Sequence, residues 1–274
     1  MVEATLAAEY DNRARVPEHP AIIAGWKADA EAFRRKADGE IDLSYGAGER
    51  NRVDLFRARE GEGQPLVIFI HGGYWRMFDK SSFSHMAAGA LASGFDVAVP
   101  SYTLCPQVGI ADIIDEMRQC CLFLWQRLRR HLVVVGHSAG GHLAACMAAT
   151  GWENFGAPAD LICGGMALSG IFDLRPLLAT PYNADLRLDA ASALQSSPIA
   201  WPAPLKLPFD LWVGAEESSE FVRQSRSLSA AWTGLGLAAP YAEVAGENHF
   251  TLARGLSDPA SILSRRIMVL ARGQ

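Results

Sequence analysis

Leu132-Val133-Val134-Val135-Gly136-His137-Ser138-Ala139-Gly140-Gly141-His142-Leu143-Ala144-Ala145 is the stretch that decides the fold. Leu132 to Val135 is a short β-branched apolar run, the pattern of a strand covered on both faces. Leu143 to Ala149 is rich in Ala, Leu and Met, which favour helix. Between them the chain must reverse within about one residue, which strains the backbone at its centre; small neighbours relieve the crowding. Gly136-His137-Ser138-Ala139-Gly140 therefore reads as a nucleophile elbow with Ser138 at its tip. There the hydroxyl sits at a helix N-terminus, where free N–H groups and the dipole favour developing negative charge. A phosphate-holding turn is the competing reading, but the Gly-Lys-Ser/Thr signature is missing and no Gly-x-Gly-x-x-Gly opens this helix.

Length and composition limit what surrounds the elbow. The 274 residues are 50% hydrophobic and 20% charged, enough for a sizeable core. The formal charge of −5 comes with only short basic clusters at Arg34-Arg35-Lys36 and Arg127 to Arg130, so no nucleic-acid partner is expected. Met1 to Val16 is polar, unlike a secretory leader, and no apolar run approaches the ~18 residues of a membrane span. The five cysteines include no Cys-x-x-Cys pair and lie mostly in apolar segments. Reduced thiols in a cytoplasmic protein are expected, with neither cofactor nor metal. His137 and His142 are five apart, not the i, i+4 of a helical zinc pair, and no His-Glu-x-x-His occurs.

Working outward, strands and helices alternate. Pro20 to Lys36 predicts a helix, and Ile41 to Tyr45 with Arg52 to Arg57 a hairpin around Gly46-Ala47-Gly48. Buried strands are predicted at Leu66 to Ile70, Phe95 to Val99, Ile162 to Leu168, Phe209 to Val213 and Ala239 to Val244. Helices are predicted over Ser81 to Ser93, from Ile110 to about Arg130, and after an Asp258 cap with Pro259 in the first turn. Leu174 to Pro208, proline-rich and without clear period, reads as a cap of short helices and loops. The alternation predicts one α/β-hydrolase-type domain over residues 1–274, its sheet mostly parallel, with the cap at about 174–208. Sites in such sheets lie beyond the strand C-terminal ends, here after Ile70, Val135 and Val213.

A serine needs a base, and in this fold the order is Ser, acid, His. Two histidines follow Ser138. His142 lies on the elbow helix and is expected to point into its core. His249 stands in Gly246-Glu247-Asn248-His249-Phe250, a turn-rich loop at the correct sheet edge, and is the expected base. Glu217 is the candidate acid after the 209–213 strand, with Glu216, Glu220 and Asp173 as rivals. The oxyanion hole is expected from the Ala139 N–H and an N–H of His71-Gly72-Gly73-Tyr74, where Gly72 and Gly73 let backbone donors approach. His137 is expected to fill the space under the elbow.

His71-Gly72-Gly73-Tyr74-Trp75 together with Gly136 to Gly140 resembles the kynurenine formamidase (arylformamidase) branch of the α/β-hydrolases, close to the hormone-sensitive-lipase-like esterases. Glu9-Tyr10, Tyr45 to Glu49 with Val53-Asp54, Leu168 to Leu174, and Ser197-Pro198 share the resemblance, which covers most of the chain. So does Val213 to Phe221 followed by Arg223-Gln224-Ser225. Where the family has Asp before Ser-Pro-Glu-Phe, this chain has Glu217 before Ser218-Ser219-Glu220-Phe221; the match puts the acid on Glu217, one methylene longer. The resemblance implies hydrolysis of N-formyl-L-kynurenine to formate and kynurenine. Tyr74, Trp75, Tyr102, Trp152 and Phe172 lie near the predicted strand ends and are the candidate aromatic pocket. Tyr74 and Trp75 are expected to narrow the space beside the acyl carbon and favour formyl over longer acyl groups. A short-chain carboxylesterase uses the same machinery and stays open as the alternative. So do an amidase of another aromatic or heterocycle catabolic route and a non-catalytic binding protein on a hydrolase scaffold. The expected partner is a small aromatic amide or ester, with no nucleic acid and no membrane; a homodimer stays open.

Overall fold

The computed structural model describes residues 2–59, 61–202 and 207–273. In chain order the elements are α1 (Val2–Tyr10), α2 (Asn12–Arg15), α3 (His19–Arg34), β1 (Gly39–Ser44), β2 (Arg52–Phe56), β3 (Leu66–Ile70), α4 (Ala88–Ala92) and β4 (Val97–Pro100). They continue with α5 (Ile110–Leu128), β5 (Leu132–His137), α6 (Ala139–Ala148), β6 (Ile162–Leu168), α7 (Asn183–Leu186), α8 (Ala190–Gln195), β7 (Phe209–Gly214), α9 (Ser219–Gly234), β8 (Tyr241–Val244) and α10 (Ile262–Ala271).

All eight strands form one sheet in the order β1-β2-β4-β3-β5-β6-β7-β8. The hairpin strands β1 and β2 pair antiparallel, as do β2 and β4. From β4 onward every pairing is parallel. Alternation along β5 divides the core: Leu132 and Val134 join one apolar layer, Val133 and Val135 the other. The first layer takes its helical cover from α5, α6 and α9, and the second from α3 and α10. Each fully buried Val or Leu contributes about 1.5–3 kcal/mol, so the central strands are the most costly part of the molecule to open. The topology is that of an α/β-hydrolase.

Local chemistry moves several predicted boundaries. The helix expected over Ser81 to Ser93 is mostly 3₁₀ turns at Lys80–Ser82 and Ser84–Ala87, with α-helix only in α4. Its entrance is pinned from inside, because the Lys80 ammonium turns inward to the buried Asp54 carboxylate at 3.0 Å. The last helix starts later than expected. Ser261 Oγ, not Asp258, accepts the Ser264 N–H and caps α10, while Asp258 closes only a turn to the Ala260 N–H. The region after Leu174 is short helices and turns, as its irregular pattern suggests, with residues 203–206 of the expected cap outside the described residues. Helices α1 and α2 had no counterpart in the sequence reading. Among the described residues no helix is long and apolar enough to cross a membrane.

Candidate active site

Ser138 joins β5 to α6 with φ 57° and ψ −121°, a conformation costing on the order of 1–3 kcal/mol for a residue with a Cβ. Neighbours hold it there. Its N–H donates to the Leu168 carbonyl at 2.8 Å, and its carbonyl accepts from the His142 N–H at 3.1 Å. Gly136 and Gly140 are required by close approach: a Cβ on Gly136 would run into the Gly140 carbonyl, and one on Gly140 into that of Ile70. Ala139 opens α6, so its N–H has no partner within the helix.

His249 follows β8 in a turn whose Asn248 Oδ1 accepts the N–H groups of Phe250 and Thr251. Its Nδ1 donates to Glu217 Oε2 at 2.7 Å. A carboxylate accepts only, so the neutral ring carries its proton on Nδ1 and leaves Nε2 free as a base. The Glu217 side chain is fully buried. Its second oxygen accepts from the Ser169 hydroxyl and, at 2.8 Å, from the Gly214 N–H. Both carboxylate oxygens are thus held. Ser169 was not singled out in the sequence; its place immediately after β6, at the functional edge of the sheet, was the available signal.

The rivals are occupied elsewhere. Asp173 is bound by Arg175, and Glu220 by Arg223 and the Tyr10 hydroxyl. Glu216 is exposed. His142 bonds the Ser196 carbonyl at 2.6 Å, with burial lowering its pKa to about 4. His137 lies under the elbow, donating from Nε2 to the His249 carbonyl at 2.7 Å, with burial first and the neighbouring His249 second lowering its pKa to about 3. It stays neutral and steadies the loop that carries His249.

Gly72 lies directly beside the elbow: a Cβ there would be 2.8 Å from the Ser138 Cβ and from the His137 carbonyl. The following loop is wound through left-handed conformations at Gly73, Tyr74, Trp75 and Phe78. Two side chains hold that strain. The Tyr74 ring stacks on Tyr182 at 4.2 Å and its hydroxyl donates to the Tyr10 carbonyl at 2.6 Å, while Trp75 is fully buried against His142.

One cavity is lined by Ser138, His249, Gly72 and Gly73 together with Trp26, Tyr74, Phe83, Tyr182 and Phe250. Of the five aromatics expected to form the pocket, only Tyr74 lines it. Tyr102 stacks under His71 at 4.5 Å, and Trp152 donates its indole N–H to the Met147 carbonyl. Phe172 and Trp75 are fully buried core. Nearness to a strand end did not separate rings facing the cavity from rings facing the helices. Trp75 therefore does not narrow the acyl space, contrary to expectation; Phe78, Phe83 and Met77 stand in the lining instead. Another part of the wall comes from the N-terminal region, through Asn12 and Arg13 of α2 and Trp26 of α3, whose ring meets His137 and Phe250. Tyr10 anchors that wall, its hydroxyl donating to Glu220 at 2.8 Å and accepting from Gln224 at 2.9 Å. Among the described residues no three His, Cys, Asp or Glu side chains gather to hold a metal ion.

Comparison with known proteins bears on the fold and the family. The BD-FAE family model matches residues 53–160. A solved structure from Silicibacter sp. TM1040, provisionally assigned as a thioesterase, superposes with a TM-score of 0.90 at 36% identity, covering 96% of this chain and 98% of that one. An esterase of the bacterial hormone-sensitive-lipase family shares the fold with a TM-score of 0.69 at 17% identity, covering 94% of this chain and 98% of its own. The chain is a hydrolase of the α/β-hydrolase fold. Within that class it is similar to kynurenine formamidases: that of Danio rerio is 28% identical over 256 residues, 90% of this chain and 87% of that one.

Proposed function

We propose that the protein is a serine hydrolase of the arylformamidase type, cleaving N-formyl-L-kynurenine or a similar aryl formamide to formate and the arylamine. The observation that carries this reading is the His249–Glu217 pair, with Nε2 free, sharing a cavity with a serine strained at a helix N-terminus. Ser138 Oγ attacks the formyl carbon while His249 Nε2 takes its proton. The carbonyl oxygen becomes an oxyanion held by the N–H of Ala139 and an N–H of the Gly72-Gly73 turn. As the C–N bond breaks, His249 returns the proton to the leaving nitrogen. Water then attacks the formyl ester, His249 takes its proton, and formate leaves as that proton passes to Ser138 Oγ. Glu217 holds the tautomer and stabilises the imidazolium throughout.

The test compares kcat/KM for N-formylkynurenine, 4-nitrophenyl acetate, 4-nitrophenyl hexanoate and an aryl thioester on one preparation. The formamide is expected to be best and the hexanoate worst, each poorly fitted methylene costing roughly 10- to 200-fold. Brisk ester or thioester turnover with no formamide cleavage would replace the reading with that of an esterase or thioesterase.

A further inference from the structure

The two peptide units that carry the Gly72 and Gly73 N–H groups are each aimed from behind. In a trans peptide the N–H points opposite to the preceding carbonyl. A donor on the His71 carbonyl therefore fixes the direction of the Gly72 N–H, and a donor on the Gly72 carbonyl fixes that of Gly73. The Tyr102 hydroxyl donates to the His71 carbonyl at 2.9 Å, and His71 Nδ1 donates to the Gly72 carbonyl at 2.8 Å. The His71 ring stacks on Tyr102 at 4.5 Å and on Phe83 at 5.5 Å.

Arg50 stands behind that arrangement. It lies in the turn between β1 and β2 and does not line the cavity. Its guanidinium donates from Nε to the Tyr102 carbonyl at 2.8 Å and from Nη2 to the Phe78 carbonyl at 2.6 Å. Among the described residues no other hydrogen bond reaches either oxygen. Phe78, with φ 75°, ends the left-handed loop, and its ring packs on Gly73: a Cβ there would be 2.8 Å from Phe78 Cδ2. One guanidinium thus holds both the platform beneath His71 and the residue that folds back onto Gly73. Its own turn is tied to the same platform, the Tyr45 hydroxyl donating to the Ser101 carbonyl at 2.5 Å. Asp79 supplies the counter-charge 3.7 Å from Nη2 and accepts from the Ser101 hydroxyl at 2.6 Å.

We propose that Arg50 is a positioning residue for the oxyanion hole, acting through Tyr102 and Phe78 to set where the Gly72 and Gly73 N–H groups stand relative to Ser138. This rests on the serine-hydrolase reading and not on the choice of acyl donor. Two donors from different edges of one rigid plane reach two carbonyls at once, which a lysine ammonium on a flexible stem does not reproduce. Misplaced N–H groups weaken the hold on an oxyanion and leave the binding of a planar carbonyl compound almost unchanged.

The Arg50 side chain is 31% exposed, so Arg50→Lys keeps the charge and opens no buried void. With 4-nitrophenyl acetate it should lower kcat/KM about 10- to 100-fold, less than the loss of an oxyanion donor outright. Tyr102→Phe keeps the stacked ring, removes the hydroxyl on the His71 carbonyl, and should cost about tenfold. A pair of ketones separates positioning from general damage. 1,1,1-Trifluoroacetophenone takes Ser138 Oγ onto its carbonyl carbon, the Oγ proton passing to His249 Nε2 and the C=O π pair becoming an oxyanion, whereas acetophenone binds as the planar ketone. In Arg50→Lys, inhibition by the trifluoroketone should weaken by the same factor as kcat/KM, with inhibition by acetophenone changed less than about twofold. Equal weakening of both ketones, or unchanged kcat/KM and trifluoroketone inhibition, overturns the proposal. If wild type neither cleaves the ester nor binds the trifluoroketone, the serine-hydrolase reading fails separately. Amide hydrogen exchange over residues 71–79 then decides the brace. Faster exchange there in Arg50→Lys, with β5 and β6 unchanged, supports it; unchanged exchange overturns it.

Discussion

The two walls of the cavity are built differently. The sheet wall, carrying Ser138, Gly72 and His249, is made by backbone geometry at the C-terminal ends of β3, β5 and β8. Its glycines and its strained serine are fixed by carbonyls a few ångströms away, leaving little room for substitution. The N-terminal wall, carrying Asn12, Arg13 and Trp26, belongs to no strand and is attached by side chains, with Tyr10 bridging Glu220, Gln224, Tyr74 and Tyr182. The contrast teaches a division of labour. Ser138, Gly72 and His249 sit where parallel strands deliver them, whereas Asn12 and Arg13 sit on a short helix outside the sheet.

The largest expected effect lies on the sheet wall. Ser138→Ala should lower kcat by about 10⁴–10⁶ with an unchanged far-UV circular dichroism spectrum, and a fluorophosphonate should label wild type alone. Labelling of the variant at an equal rate would break the assignment. Next, Glu217→Gln should cost roughly 10³–10⁴ in kcat, because an amide no longer stabilises the imidazolium or enforces its tautomer. Glu216→Gln, at an exposed position, should stay within about twofold; the reverse pattern would move the acid by one residue.

Three buried histidines near the site should shape acid stability. Burial lowers His137 to about 3 and His71 and His142 to about 4, against about 6.5 in the unfolded chain. Between these limits the unfolded state binds more protons. The contribution of these histidines is therefore full above about pH 6.5 and is lost as pH drops toward 4. Urea melts at a series of pH values should show this slope, shallower in His142→Gln. The smallest effect belongs to the arm. Tyr10→Phe removes the hydroxyl that joins it to Glu220 and Gln224, and should cost about 1–2 kcal/mol of stability. Formamide KM should rise while kcat stays within about twofold. A large fall in kcat instead would show that the two walls are not separable.

The elbow was legible because its requirement is local: a strand reversing into a helix demands small residues around one strained position, whatever the rest of the chain does. His249 was legible from chain order and its turn-forming neighbours. Glu217 was one of four carboxylates until folding sent Asp173 to Arg175, Glu220 to Arg223 and Tyr10, and left Glu216 in solvent. Ser169, which holds the far oxygen of Glu217, was invisible because its partner is 48 residues away. The cavity aromatics failed for a related reason. Tyr74 and Trp75 are adjacent and both left-handed, yet one faces the cavity and the other the core.

Sequence alone thus determined the alternating architecture and offered Ser138 and His249 as candidates, since these follow from the chemistry of a few consecutive residues and their order in the chain. Tertiary structure alone decided which carboxylate meets the imidazole, which rings line the cavity, and that the chain's first helices close it. Those outcomes depend on side chains from distant segments competing for the same buried space, and that competition has no local signature.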